Sequence, residues 1–307
     1  MGERPTVLML GGPTAAGKTE AAIAVAEAFG AVIVSADAMQ VYRGMDIGTA
    51  KVTPEERARA PHVGIDLVDP NQDFDVSDFL ALADEAIASG APVVVAGGTG
   101  FYLQALLRGL VRTPPVDPVL RAGLEADPEL YRRLQEADPV LAERLHPNDR
   151  VRLVRGMEVF LQLGRRLSEL QDEHATAPNR VEAVGLHLDR DDLDARIDAR
   201  VLQMMERGYL EEVRGLLAAG YGPELKPMQS LGYRHLASHL LHGLPLEEAV
   251  RLTQRDTRRF ARKQRTWMNT LRFEEVREGH VRRALEVAGV AFGRAPAPLH
   301  AAGPGPT

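Results

Sequence analysis

Short apolar runs separated by longer amphipathic stretches set the rhythm of the first hundred residues. Thr6–Leu10 (Thr-Val-Leu-Met-Leu), Ala31–Ser35 (Ala-Val-Ile-Val-Ser) and Pro92–Ala96 (Pro-Val-Val-Val-Ala) are short and apolar at nearly every position, which predicts strands buried on both faces. Between them lie an alanine-rich stretch opening at Thr19 and ending at Phe29, and a stretch from Val76 to Ser89. The latter sets Phe79, Leu82, Ala83, Ala86 and Ile87 at helical spacing. This alternation predicts an α/β fold built on a parallel sheet. Pro54 to Asp73 is polar and turn-rich and reads as loop.

From Arg112 to about Pro178 the rhythm stops. Prolines at 114, 115, 118, 128 and 139 punctuate short helical stretches, which predicts a helical insertion over 112–178 between core segments 1–111 and 179–293. Strand character returns at Val181–Leu188 and ends in Asp189-Arg190. Leu193 to Ala219 is an amphipathic helical region with Leu193, Ile197, Val201, Met204, Met205 and Val213 facing the core. Arg251 to Arg272 reads as one basic amphipathic helix, with Phe260, Trp267 and Leu271 on one side and Arg255, Arg259 and Arg262 on another. Residues 294–307 are rich in Ala, Pro and Gly and are expected to form a disordered tail.

Charge alters this picture in one place. The net charge is −6, yet Arg251 to Arg272 holds eight basic residues against one acid, Asp256. Such a split points to a polyanion meeting one face of a mildly acidic protein. The absence of cysteine excludes disulfides, thiolate metal sites and cysteine nucleophiles. No apolar run reaches the length of a membrane span and no signal-peptide pattern opens the chain, so a cytoplasmic protein without a membrane partner is expected.

The chemistry concentrates where predicted strands end. Gly12-Pro13-Thr14-Ala15-Ala16-Gly17-Lys18-Thr19 satisfies the phosphate-loop spacing G-x-x-x-x-G-K-[ST] of nucleotide- and ATP-binding proteins, between a strand and a helix. Gly12 and Gly17 let the backbone wrap closely round an anion, and the following helix adds the positive end of its dipole. Lys18 supplies a mobile cation and Thr19 a hydroxyl suited to magnesium. The loop argues for a phosphate or diphosphate ligand rather than for ATP in particular.

Asp37 follows the second strand, where a ligand of a doubly wound sheet sits, and reads as a general base or metal ligand; a helix cap or turn residue is the alternative. Gly97-Gly98-Thr99-Gly100 repeats the strand, glycine turn and helix pattern, making Thr99 a candidate hydroxyl donor or an N-cap. Arg152 and Arg155 lie one turn apart and suit phosphates or a solvated face. Arg196 and Arg200 share that spacing and are candidates to point at the site. His235, His239 and His242 have helical spacing but no carboxylate or cysteine completing a metal set.

Together these stretches resemble the bacterial tRNA dimethylallyltransferase family, which prenylates the adenosine 3′ of the anticodon. The matching runs are Gly12 to Thr19, Asp37 to Lys51 (Asp-Ala-Met-Gln-Val-Tyr-Arg-Gly-Met-Asp-Ile-Gly-Thr-Ala-Lys) and Gly97 to Leu103. Asn148 to Val159, Leu231-Gly232-Tyr233-Arg234 and Arg262-Lys263-Gln264-Arg265-Thr266-Trp267 follow in family order. Ala38 departs from the serine common in the family, and the insertion is short between Leu124 and Leu130.

The resemblance implies a P-loop NTPase-like parallel-sheet core with a helical insertion contacting tRNA. It implies dimethylallyl diphosphate and the tRNA anticodon stem-loop as substrates, Mg2+ as cofactor and a monomer. Gly12, Thr14, Ala15, Ala16, Gly17, Lys18 and Thr19 would hold the diphosphate, with Thr19 on magnesium and Arg200 assisting. Asp37 would take the proton from adenine N6, with Thr99 at the same centre. Ala38, Met39 and Gln40 would meet the extracted base. Arg152, Arg155, Gln229, Gly232, Tyr233, Arg234, Arg262, Lys263, Gln264 and Arg265 would contact tRNA. A P-loop small-molecule kinase, an adenylate prenyltransferase and a non-catalytic RNA-binding module remain the alternatives.

Overall fold

The computed structural model describes residues 6–295. Most of the segment expected as a disordered tail, 296–307, lies outside the described residues. The chain divides into two compact units, one made of everything described up to Leu107 and from Arg180 onward, the other of Arg108–Asn179.

The larger unit is a doubly wound sheet. Its strands are β1 (Thr6–Gly11), β2 (Val32–Ser35), β3 (His62–Val63), β4 (Val93–Gly97), β5 (Glu182–Leu188) and β6 (Glu274–Val276), ordered β3-β2-β4-β1-β5-β6. Every pairing is parallel. The apolar runs are continuous because helices cover both faces. Leu8 and Leu10 point into a layer with α1 (Lys18–Phe29) and α14 (His280–Ala291). Val7 and Met9 point into the opposite layer, with α3 (Val76–Ala88), α4 (Gly100–Arg108) and the end of α13 (Leu246–Thr270). All four side chains are almost wholly buried. Each such burial contributes about 1.5–3 kcal/mol, so a polar residue in β1 would be costly.

Register places the functional edge. Gly11 pairs with Gly97 on one side and His187 on the other, and Ser35 pairs with Ala96. The carboxyl ends of β1, β2, β4 and β5 therefore stop at one level, with β1 at the switch point where ligands of such sheets bind.

Two expectations change. The segment read as loop from Pro54 contains α2 (Pro54–Arg59), started by a capping box in which Thr53 and Glu56 bond each other's backbone amides, and then β3. The single amphipathic region after Leu193 is two helices, α10 (Leu193–Glu206) and α11 (Tyr209–Ala218), broken where Gly208 adopts φ 96°. Beneath the 39–51 segment lies a third cluster in which Tyr42 and Met45 pack with Tyr209, Met228 and Tyr233, the last opening α12 (Tyr233–His242).

The smaller unit holds α5 (Pro118–Ala126), α6 (Leu130–Ala137), α7 (Pro139–Arg144), α8 (Arg150–Leu163) and α9 (Leu167–Thr176) around a leucine-rich core. Its buried acids are satisfied. Glu158 takes a bidentate bond from Arg121 and a third from Arg155, while Asp138 caps α7 and accepts from Ser168.

Candidate active site

The phosphate loop bridges β1 and α1 in a conformation only its sequence permits. Gly12 adopts φ 149° and Gly17 φ 100°, and a Cβ on Gly12 would overlap the Leu188 carbonyl. Ala15 sits at φ 64°, a strained value for alanine. Side chains from other elements hold the loop carbonyls outward: Arg196 Nε donates to Ala15 O at 3.2 Å and Arg190 Nε to Ala16 O at 3.1 Å. Among the described residues the amides of Ala15, Gly17, Lys18 and Thr19 have no acceptor in the chain. Amides collected this way at a helix N-terminus form an anion site.

Lys18 Nζ donates to Pro13 O at 2.7 Å. Burial lowers its pKa to about 8, with the Asp37 carboxylate partly opposing that fall. Asp37 shows the converse. Burial raises its pKa, against the Met39 amide (2.9 Å from Oδ1) and the Lys18 and Arg200 cations. Arg200, carried inward on α10, has its own pKa lowered by burial and raised by Asp37. Asp37, Lys18 and Arg200 thus form one electrostatic group.

Thr99 fixes the remaining edge. Its amide donates to Ala36 O at 3.0 Å, and its Oγ1 accepts from Ala38 N at 3.1 Å. The hydroxyl proton remains available to a ligand. Gly97 has no room for a Cβ because the Ala36 carbonyl lies against it, and Gly100 has none because the Trp267 ring does. Thr19 opens α1 beside Lys18 and makes no side-chain hydrogen bond among the described residues. One hydroxyl there, with substrate oxygens and water, suits magnesium, which seldom uses an all-protein cage. No group of three metal-ligating side chains occurs among the described residues.

Several residues expected to contact RNA have partners within the chain. The Gln40 carboxamide accepts from Ser35 Oγ and donates to the carbonyls of Thr49 and Ala50. Tyr233 is buried and donates its hydroxyl to Glu212, whose carboxylate accepts the amides of Asp46, Ile47 and Gly48. Gly232, at φ 83°, is packed against the Tyr209 hydroxyl. Gln264 is buried and braces the phosphate loop. Arg265 makes a bidentate bond to the buried Asp189. In the smaller unit Arg155 is taken up by Glu158, Thr113 and Pro114.

Others are placed outward. Ala38 and Met39 are partly buried, Gln229 and Lys263 exposed, and Arg152 exposed beside Asp149. Arg234 is exposed but pairs with Asp256, which also takes bonds from Arg255 and His235; Arg262 pairs with Asp194. His235 thus serves an ion-pair cluster, and His239 bonds the Leu244 carbonyl. Phe260, grouped by spacing with Trp267 and Leu271, is exposed; the buried stripe of α13 includes Thr253, Ala261, Gln264 and Met268. Glu212, Arg190 and the brace at Gln264 were not anticipated. Of these, Arg190 carries a sequence signal, standing two residues past the carboxyl end of β5.

Among the described residues no helix is long and apolar enough to cross a membrane. A parallel sheet with a phosphate loop at its switch point defines a P-loop NTPase-like α/β protein. The IPP transferase family model matches residues 40–271, and an isopentenyl transferase model matches residues 5–63. The chain belongs to the IPP transferase family of enzymes.

Among curated relatives, tRNA dimethylallyltransferase 1 of Citrifermentans bemidjiense is 50% identical over 269 residues, covering 85% of this chain and 88% of the relative. The tRNA dimethylallyltransferase of Syntrophobacter fumaroxidans is 50% identical over 273 residues, covering 85% and 80%. The solved tRNA isopentenylpyrophosphate transferase of Bacillus halodurans superposes with TM-score 0.68 at 32% identity, covering 94% of this chain and 96% of that one. A eukaryotic dimethylallyltransferase acting on tRNA superposes with TM-score 0.83 at 25% identity, covering 95% and 80%.

Proposed function

We propose that the protein transfers a dimethylallyl group from dimethylallyl diphosphate to N6 of the adenosine 3′-adjacent to the anticodon in tRNA. The observation that carries this reading is Asp37, a carboxylate of raised pKa, grouped with the phosphate-loop lysine in a chain of this family. In the step, N6 attacks the allylic carbon and a C–N bond forms as the C–O bond to diphosphate breaks. Diphosphate leaves with the electron pair, and the N6 proton passes to Asp37. In its ionised form, a carboxylate with elevated pKa accepts that proton more readily than an ordinary one. The loop amides, Lys18 and Arg200 would meet the charge that builds on the leaving group. Mg2+ held by Thr19 and the diphosphate would supply further neutralisation of the leaving group.

The exposed cations of α13 suit the phosphates of the anticodon stem-loop. Action as a monomer, in the cytoplasm where tRNA is met, is part of this reading. The deciding experiment incubates the protein with dimethylallyl diphosphate, magnesium and bulk tRNA and analyses the nucleosides. Prenylated adenosine is expected; phosphate transfer from ATP without tRNA, prenylation of free AMP, or tight tRNA binding without product would replace the reading.

Salt dependence separates the two faces of α13. Replacing Arg259, Arg262 and Lys263 with glutamine is expected to lower the log–log salt slope of tRNA binding by roughly 0.7–0.9 for each phosphate left without its cation. Arg265→Gln should leave that slope unchanged and lower thermal stability, because its partner Asp189 is buried. Equal slopes in the triple variant and the parent would make the outer face a merely solvated one.

A further inference from the structure

Two glycine turns must be held in fixed relation for the reaction just proposed. The phosphate loop positions the diphosphate, and hence the allylic carbon; the turn after β4 carries Thr99, which fixes the segment holding Asp37. One side chain spans them. Gln264 Oε1 accepts from Thr14 N at 3.0 Å, and its Nε2 donates to Gly98 O at 3.0 Å. Its exposure is 7%. Both ends of the carboxamide are satisfied, and the fit is close: a Cβ on Gly98 would overlap Gln264 Nε2. The next residue reaches the same loop by a second route. Arg265 binds Asp189 and the Arg190 carbonyl, and the Arg190 side chain holds Ala16 O. Lys263, immediately before them, is exposed on the outer face.

The geometry points to Gln264 as a positioning residue of the transfer reaction, setting the distance between the diphosphate loop and the Thr99 turn. It acts through Thr14 and Gly98. The inference rests on the proposed prenyl transfer, so the parent protein must first yield prenylated tRNA. Failure there removes the function and leaves the brace unassigned. A shift well under an ångström between two substrates already lowers rate, since a 1 Å misplacement can cost about 10²-fold.

The test compares Gln264→Met, which keeps volume and removes both bonds, with Gly98→Ala, which pushes the same carboxamide from the opposite side, and with the double variant. The single-turnover rate is read at saturating dimethylallyl diphosphate and tRNA. Each single variant is expected to lose about 10–30-fold in rate, with tRNA affinity and the diphosphate KM within about threefold of the parent. The double variant is expected to lose little more than either single one, because both act on one bridge. Thr253→Val, a buried α13 change remote from the loop, is the stability control: it is expected to lower the melting temperature without changing the rate.

Multiplicative losses in the double variant would overturn the assignment. So would a rate within twofold of the parent for Gln264→Met, or losses that only follow melting temperature as the control's do. If Gln264→Met does not fold, the same decision rests on Gly98→Ala: retention of the parental rate overturns the brace, and loss at unchanged tRNA affinity supports it.

Discussion

Asp37→Asn is expected to reduce single-turnover prenyl transfer by about 10²–10⁴-fold, or roughly 3–5 kcal/mol, while tRNA and diphosphate affinities change by less than about tenfold. Adenine N6 is a poor nucleophile because its lone pair is delocalised into the ring. It gains strength as its proton departs, so a carboxylate in reach of that proton matters to rate rather than to binding. Asparagine keeps the shape and can still accept the Met39 amide, but it cannot take the proton.

The pH profile carries an independent mark of the same role. Burial raises the Asp37 pKa from its ordinary 3.8, against the pull of Lys18 and Arg200. The active form is the ionised one, so rate should fall as pH drops through that raised value. The acid limb should therefore lie above the ordinary carboxylate range, and Asp37→Asn should abolish it. If Asp37 instead serves the fold or a metal, affinity or melting temperature would fail before rate. A variant keeping near-parental single-turnover rate would end the base assignment.

What the sequence disclosed, and what it hid, follows from how each residue is satisfied. β1, β2 and β4 were legible because both faces are covered and almost every position is apolar. β3 and β6 were not: His62–Val63 and Glu274–Val276 are short edge strands held by backbone pairing, with no apolar run to mark them. The phosphate loop, Asp37 and Thr99 were legible because glycine spacing and position after a strand constrain the chemistry. The motif residues Gln40, Tyr233, Gln264 and Arg265 were visible as a pattern, but their partners were not. Periodicity separates apolar from polar positions and does not tell a glutamine braced against a backbone amide from one turned to RNA. On α13 this inverted two residues, burying Gln264 and exposing Phe260. Likewise nothing local marks Glu212, whose partners at Asp46, Ile47 and Gly48 lie far away in sequence.

Lys18→Ala carries the second large effect. It is expected to weaken diphosphate binding by about 10–150-fold, corresponding to the 1.5–3 kcal/mol typical of a charge-assisted hydrogen bond, while tRNA affinity stays nearly unchanged. Titration calorimetry with inorganic diphosphate reads this directly. The free enzyme adds a pH signature, because burial lowers the Lys18 pKa to about 8. The protonated amine is the form that binds an anion. Diphosphate affinity, and with it kcat/KM for the allylic substrate, should therefore hold below about pH 8 and decline above it. Bound diphosphate favours the protonated amine, so the limb in kcat should lie at higher pH than the limb in kcat/KM. Lys18→Arg, with a cation that does not titrate in this range, should lose the alkaline limb even where geometry costs it affinity. Equal diphosphate affinity in Lys18→Ala and the parent would take the loop lysine out of the mechanism. An alkaline limb that survives in Lys18→Arg would assign that titration to another group.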